Sequence, residues 1–377
     1  MDFSYSEVQQ MLQDSVQKFV QKSYDFKTRS KIIESEDGYS KENWRLFAEL
    51  GWLAVPFSEE DGGLGGSAVD LIVMMEEFGK ANLVEPFIAT AVLSGGLISE
   101  LGDGARKSEL LEQLVTGKLQ LSCAYAEMGS RFNLAKVGTT ATVQGDKVLI
   151  NGKKIAVLNG SNADQLLVVA RESGEDIDVD GISIFLVDAA SEGLGINSFT
   201  NIDGKKSSEI VLENVSVPAS SRLGDAGSAL SALQKIIDRA TVSVSAEAVG
   251  AMELLLQKTV EYSKTRKQFG TSIGTFQALQ HRMADMFIEC QLARSIVVMA
   301  AMRLDSAESD LEKTKAVSAA KSRVGEAIRK VGQESIQIHG GIGMTDELDV
   351  GHLFKRVTAL DIMFGNADYH TERFASL

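Results

Sequence analysis

The sequence predicts an α+β protein of three domains: helices over residues 1–118, an antiparallel β barrel or sandwich over 119–224, and a four-helix-bundle-like domain over 225–377. Three patterns predict it. Apolar residues recur at threes and fours towards both ends of the chain, β-branched runs split by turn residues fill the middle, and no helical stretch separates those runs. In a chain of 377 residues, a hydrophobic content of 44% supplies ample core.

In the first domain Val8, Met11, Leu12, Val16 and Phe19 follow helical spacing, and Leu71, Ile72, Met75 and Phe78 repeat it. Gly51, Pro56, the loop Gly62-Gly63-Leu64-Gly65-Gly66 and Pro86 punctuate this pattern. The glycine-rich loop lacks the Lys-Ser/Thr ending of a phosphate-binding loop and follows no parallel-strand pattern, so a plain turn is expected. Near Leu119 the character changes. Thr140–Val143 and Lys147–Ile150 flank Gln144-Gly145-Asp146 as strand, turn and strand, and Leu166–Val169, Ile182–Val187 and Glu209–Leu212 continue the series. After Pro218 and a glycine-rich Leu223–Gly227, long tracts rich in Ala, Leu, Met and Lys run to the end, broken at Gly270–Gly274 and Gly340–Gly343. They suit a bundle of long helices.

Lys and Arg total 38 against 52 Asp and Glu, a formal charge of −14. This balance argues against nucleic acid as a partner, although one phosphorylated cofactor needs only a local cluster of donors. Cys123 and Cys290 show neither metal-ligand spacing nor a disulfide framework; no metal is expected, and a cytoplasmic setting is. The start, Met1 to Glu7, has no basic region followed by an apolar run, and nothing approaches the roughly twenty apolar residues of a membrane span.

Arg266 is the first candidate for chemistry. A guanidinium beside Lys267 and Gln268, at a helix end bounded by glycine, can clamp a pyrophosphate while amides near Gly270 add donors. The surrounding Tyr262-Ser263-Lys264-Thr265-Arg266-Lys267-Gln268-Phe269-Gly270, the Phe276-Gln277-Ala278-Leu279-Gln280-His281 that follows, and the later Gln337-Ile338-His339-Gly340-Gly341 together resemble the flavin signatures of the acyl-CoA dehydrogenase family. Trp52–Pro56 and Glu76-Glu77-Phe78-Gly79 resemble that family's N-terminal pattern, and the likeness spans essentially the whole chain. The closing segment, Phe354-Lys355-Arg356 to Tyr369-His370, looks most like the small subunits of pimeloyl-CoA-type dehydrogenases.

The resemblance implies FAD as cofactor, with contacts at Arg266, Gln268, Phe269, Phe276, Gln277, Gln337, His339, Gly340 and Gly341. It also implies an acyl-CoA substrate, electron transfer flavoprotein as acceptor, and a homo- or hetero-oligomer, dimer or tetramer. The family reaction is α,β-desaturation, in which a carboxylate takes the α-proton while the β-hydrogen leaves as hydride. Here the pattern departs. Matching through Gly365 puts Phe364 where the common Glu would stand, and matching through Ala248-Val249-Gly250 puts Ala240 at the second known position. Asp238 points to the other side of that helix, while Glu247 shares the face two turns along, about 10.5 Å away. Glu247 is the candidate for a relocated base, with Asp361 and Asp368 as outsiders; the alternative reading of Glu247 is a polar residue satisfied between helices.

The family's flavin-stacking Trp-Ile-Thr is replaced by Ala156-Val157-Leu158, which removes an indole and a hydroxyl from the reactive end of the flavin. Two readings lead: an acyl-CoA dehydrogenase with a relocated base, and a base-lacking FAD-binding subunit of a heteromeric dehydrogenase. A flavin monooxygenase or a non-catalytic acyl-CoA-binding protein on the same fold is the third class.

Overall fold

The computed structural model describes residues 5–377, so Met1 to Ser4 of the N-terminal reading lie outside the described residues. Helices α1 (Glu7–Ser23), α2 (Phe26–Ile33), α3 (Lys41–Glu49), α4 (Ala68–Ala81), α5 (Gly96–Leu101) and α6 (Gly104–Val115) come first. Serine starts several of them. Ser6 with Gln9 and Ser67 with Asp70 form reciprocal capping boxes on α1 and α4, and Ser40 caps α3, each satisfying amides that the first turn leaves without partners. The glycine-rich loop is a plain turn. Its amides at Gly63, Leu64, Gly65 and Gly66 are spent on the carbonyls of Ser58, Ala54, Phe57 and Val55 at 2.8–3.0 Å, leaving none of these four to cradle an anion.

Strands β1 (Leu121–Ala124), β2 (Thr140–Gln144), β3 (Lys147–Leu158), β4 (Gln165–Arg171), β5 (Ile182–Asp188), β6 (Leu194–Thr200), β7 (Lys206–Pro218) and β8 (Arg222–Leu223) follow. They form one sheet in the order β6-β7-β3-β2-β4-β5-β8, with β1 beside β4. Gln144 pairs with Lys147 across the Gly145-Asp146 turn, where Gly145 takes φ +65°. Most pairings are antiparallel, as expected from the absence of intervening helices. The exceptions are β1 and β2, which both meet β4 in parallel. A parallel partner needs a crossover connection, and the β2–β3 hairpin lies in the chain between β1 and β4. Ala124, Val148, Ile150, Leu166, Val168, Phe185, Val187, Ile210, Leu212 and Val215 pack as the core of this sheet.

The chain then runs through α7 (Leu230–Thr265), the hairpin β9 (Lys267–Gln268) and β10 (Thr271–Ser272), α8 (Gln277–Leu304), α9 (Asp310–His339), α10 (Asp349–Ile362) and α11 (Ala367–Ser376). By contacts the molecule divides into two units. One holds the segment up to Lys31, Ser67–Leu83 and Thr241–Leu377; the other holds Ile32–Gly66 and Val84–Ala240. Within the first unit α4 crosses α7 at two glycines. A Cβ on Gly79 would collide with the carbonyl of Glu247, and one on Gly250 with the carbonyl of Glu76, so only glycine permits this approach. The crossing fixes the height of Glu247 on α7. Among the described residues no helix is long and apolar enough to cross a membrane.

Candidate active site

Phe364 occupies the corner between α10 and α11. It holds φ +59° and is 8% exposed, an unusual conformation for a bulky residue, and one that costs roughly 1–3 kcal/mol. The surroundings over-determine it. Nε2 of His370 donates to the Phe364 carbonyl at 3.0 Å, and Gly365 at φ +113° lies against the rings of Tyr369 and His370, where a side chain would collide. Lys321, fully buried on α9, donates to the carbonyl of Leu360 and, at 3.0 Å, to that of Asp361, closing the end of α10. Asn366 caps α11. The corner is thus built to aim residue 364, and the residue it aims is a phenyl ring.

Glu247 lies elsewhere in its chemistry. Its two oxygens accept from Nε and Nη2 of Arg356 on α10 at 2.7 and 2.8 Å, with the side chains 2% and 3% exposed. A fork-on-fork pair of this kind is strong and geometrically fixed. Asp238 is buried and accepts from Gln234 at 3.2 Å. Asp361 turns towards α9, where Arg329 approaches at 3.4 Å, and Asp368 is exposed with Arg329 at 3.9 Å. Ala240 is fully buried on α7.

The proposed flavin contacts fall on two neighbouring turns of the first unit. Phe269 and Gly270 form the tip of the β9–β10 hairpin with φ +54° and +83°, the pattern of a tight primed turn. Phe269 is 93% exposed and meets Phe276 edge-on at 6.2 Å. Arg266, Gln268 and Gln277 are exposed, and Arg266 forms no ion pair among the described residues. His339 at the end of α9 stacks on Tyr262 at 4.5 Å and 24°, which joins the root of the hairpin to the Gly340 turn. Its Nδ1 donates to the Ser335 carbonyl at 2.8 Å, leaving Nε2 without a proton, and burial holds the ring below the usual histidine range. A Cβ on Gly340 or Gly341 would meet nothing within 4 Å. Gly340 closes α9 at φ +68° and ψ −148°, a conformation that favours glycine, whereas packing within this chain does not explain Gly341 and close approach of a ligand would. Gln337 is exposed one turn earlier.

Models of the acyl-CoA dehydrogenase N-terminal, middle and C-terminal domains match residues 6–118, 122–215 and 229–376. The probable acyl-CoA dehydrogenase YngJ of Bacillus subtilis (strain 168) is 30% identical over 377 residues, covering 98% of this chain and 97% of that protein. The chain belongs to the acyl-CoA dehydrogenase family. The FAD complex of PigA superposes with a TM-score of 0.92 at 27% identity, over 100% of this chain and 98% of PigA. A chain of the ChsE4–ChsE5 complex from Mycobacterium tuberculosis does so with a TM-score of 0.90 at 25% identity, over 100% and 98%.

The helical, sheet and helical order described above is the acyl-CoA dehydrogenase fold, and members of this family are FAD-dependent oxidoreductases. The residues present fit the adenosine end of FAD: a cationic Arg266, exposed aromatic rings and an open glycine pair. The ring end is less furnished. Ala156 is exposed at φ +51° in a bulge of β3 and offers no ring to stack on a flavin. Sequence reasoning missed Arg356 and Lys321. Each sits on an amphipathic helix where a cation reads as part of a solvated face, and only burial distinguishes it.

Lys321 makes one consequence measurable. Burial pulls its ammonium from 10.5 down to about 7, outweighing the nearby Asp361 carboxylate, with Arg356 adding to the fall. Between about pH 7 and 10.5 the unfolded chain therefore holds the extra proton, so this residue makes stability rise with pH across that window, with its full cost below pH 7. Lys321→Met is expected to flatten that rise, read from the thermal midpoints of both proteins at the two ends of the window.

Proposed function

We propose that this chain is the FAD-binding, base-lacking subunit of a heteromeric acyl-CoA dehydrogenase, with a partner chain supplying the carboxylate that takes the α-proton. The observation that carries the reading is Phe364, held in a strained corner where a carboxylate would otherwise project, while Glu247 is committed to Arg356. FAD, when bound, supplies the acceptor for the hydride that leaves the β-carbon of the thioester. Arg266, Gln268 and the amides around Gly270 would bind the pyrophosphate, with Phe269, Phe276 and Gln277 covering the adenosine side. Gln337, His339, Gly340 and Gly341 would line the second turn, where His339 offers the bare Nε2 as an acceptor. Phe364 itself can exclude water but cannot hold a proton.

The likeness of the closing segment to pimeloyl-CoA-type small subunits and the similarity to a chain of the ChsE4–ChsE5 complex support a mixed oligomer. Electron transfer flavoprotein as acceptor and a cytoplasmic setting belong to the same reading. An anaerobic titration of the FAD-loaded chain with a panel of acyl-CoA esters tests it. The flavin band is expected to persist with every ester and to bleach once the partner is added. Bleaching by the isolated chain would return the base to this polypeptide and sink the proposal.

A further inference from the structure

Strand β6 ends the sheet. Its register with β7 runs unbroken from Leu194 opposite Leu212 to Thr200 opposite Lys206, and on its other side no backbone hydrogen bond reaches any element among the described residues. A free row of amides and carbonyls is a template for another strand, and natural sheets guard such edges with lysine, proline or a bulge. None of the three guards is present here. Leu194-Gly195-Ile196-Asn197-Ser198-Phe199-Thr200 holds no charged residue, in a chain where 24% of residues are charged, and its pairing shows no shift of register.

Leu194 and Ile196 pack against the core of the sheet, so Gly195, Asn197 and Phe199 share the opposite face. Phe199 is 46% exposed, and its neighbour on β7 is only Ser207. Gly195 has no reason within this chain to be glycine. Its backbone is not left-handed, and a Cβ there would meet Val211 at an ordinary 3.5 Å. Glycine inside a strand weakens it and marks a place where something else approaches closely. We infer that β6 pairs antiparallel with β6 of a second copy of this chain, about a two-fold axis at Asn197. Centred on the middle residue, this register matches the two strands end to end, with Leu194 against Thr200, Ile196 against Ser198 and Asn197 against itself. It also sets each Phe199 ring over Gly195 of the second copy, so the ring covers bare backbone and the glycine leaves room for it. The contact is self-complementary, and no like charges face each other across the axis even though each chain carries a net −14. It uses none of the residues assigned to the flavin or the base corner.

Asn197→Cys puts two thiols across the axis, where directly opposed residues stand about 4.5–5.5 Å apart between Cα atoms, within reach of a disulfide. Thr200→Cys is the control, because the same pairing holds its two copies six residues apart, about 20 Å, which no disulfide spans. Both native cysteines are buried. In the full-length protein under mild oxidation, Asn197→Cys is expected to form a covalent dimer at least about tenfold faster than Thr200→Cys. Asn197→Lys, a surface change, sets two like charges against each other at the axis, and it is expected to halve the sedimenting mass at protein concentrations where the parent is associated. Its thermal midpoint guards against misfolding being read as lost association, and the cysteine pair tests the same contact without that risk. Equal cross-linking of the two cysteine variants, no cross-linking of Asn197→Cys, or a folded Asn197→Lys protein that keeps the mass of the parent overturns the inference.

Discussion

Arg356→Met is expected to lower stability by roughly 3–5 kcal/mol, because it strands the Glu247 carboxylate in a site where both partners are almost fully buried. In a chain of 377 residues the thermal midpoint should fall by roughly 4–6 °C. The pair itself is a weak source of net stability, since the cost of drying two charges offsets most of their attraction. Hence the double substitution Glu247→Leu with Arg356→Met should recover most of the loss. This cycle also separates the two readings of Glu247. If it is a tie between α7 and α10, Glu247→Gln destabilises the protein, yet the folded fraction reduces its flavin in the presence of the partner as fast as the parent does. A base at Glu247 would instead lose the reaction at unchanged folding, by a factor of at least about a hundred.

Phe364→Glu is expected to give the isolated chain a measurable bleaching of bound FAD by acyl-CoA, at least about a hundredfold above the parent, the usual contribution of a positioned general base. The corner is ready for it. The left-handed backbone at 364, the His370 hydrogen bond to its carbonyl and the Lys321 closure of α10 do not depend on the phenyl ring. A carboxylate would therefore emerge along the same direction. Should the variant fold, bind FAD and remain as silent as the parent, residue 364 does not face the substrate, and the base-lacking reading loses its central observation.

Much of the architecture was legible because it rests on local signals. Apolar spacing marks α1 and α4, the Gln144-Gly145-Asp146 turn sets the β2–β3 register, and glycines end α9 and tip the β9–β10 hairpin. The flavin motif was legible for the same reason, since its residues cluster in two short runs. The edge strand β6 was not singled out, because its residues are half-buried or exposed and carry no clean alternation. The parallel contact of β1 with β4 was hidden by the hairpin between them in the chain.

By itself, then, the sequence determined the order of helical and sheet parts, the family likeness, the flavin-contact candidates and the absence of a carboxylate at positions 240 and 364. Only the tertiary structure decided which group Glu247 pairs with, because its partner Arg356 stands 109 residues away. The same holds for Lys321, whose burial follows from packing among distant segments. Periodicity and turn residues act over a few positions and can be read along the chain. Burial and charge pairing are properties of the space between elements, and they exist only once those elements have met.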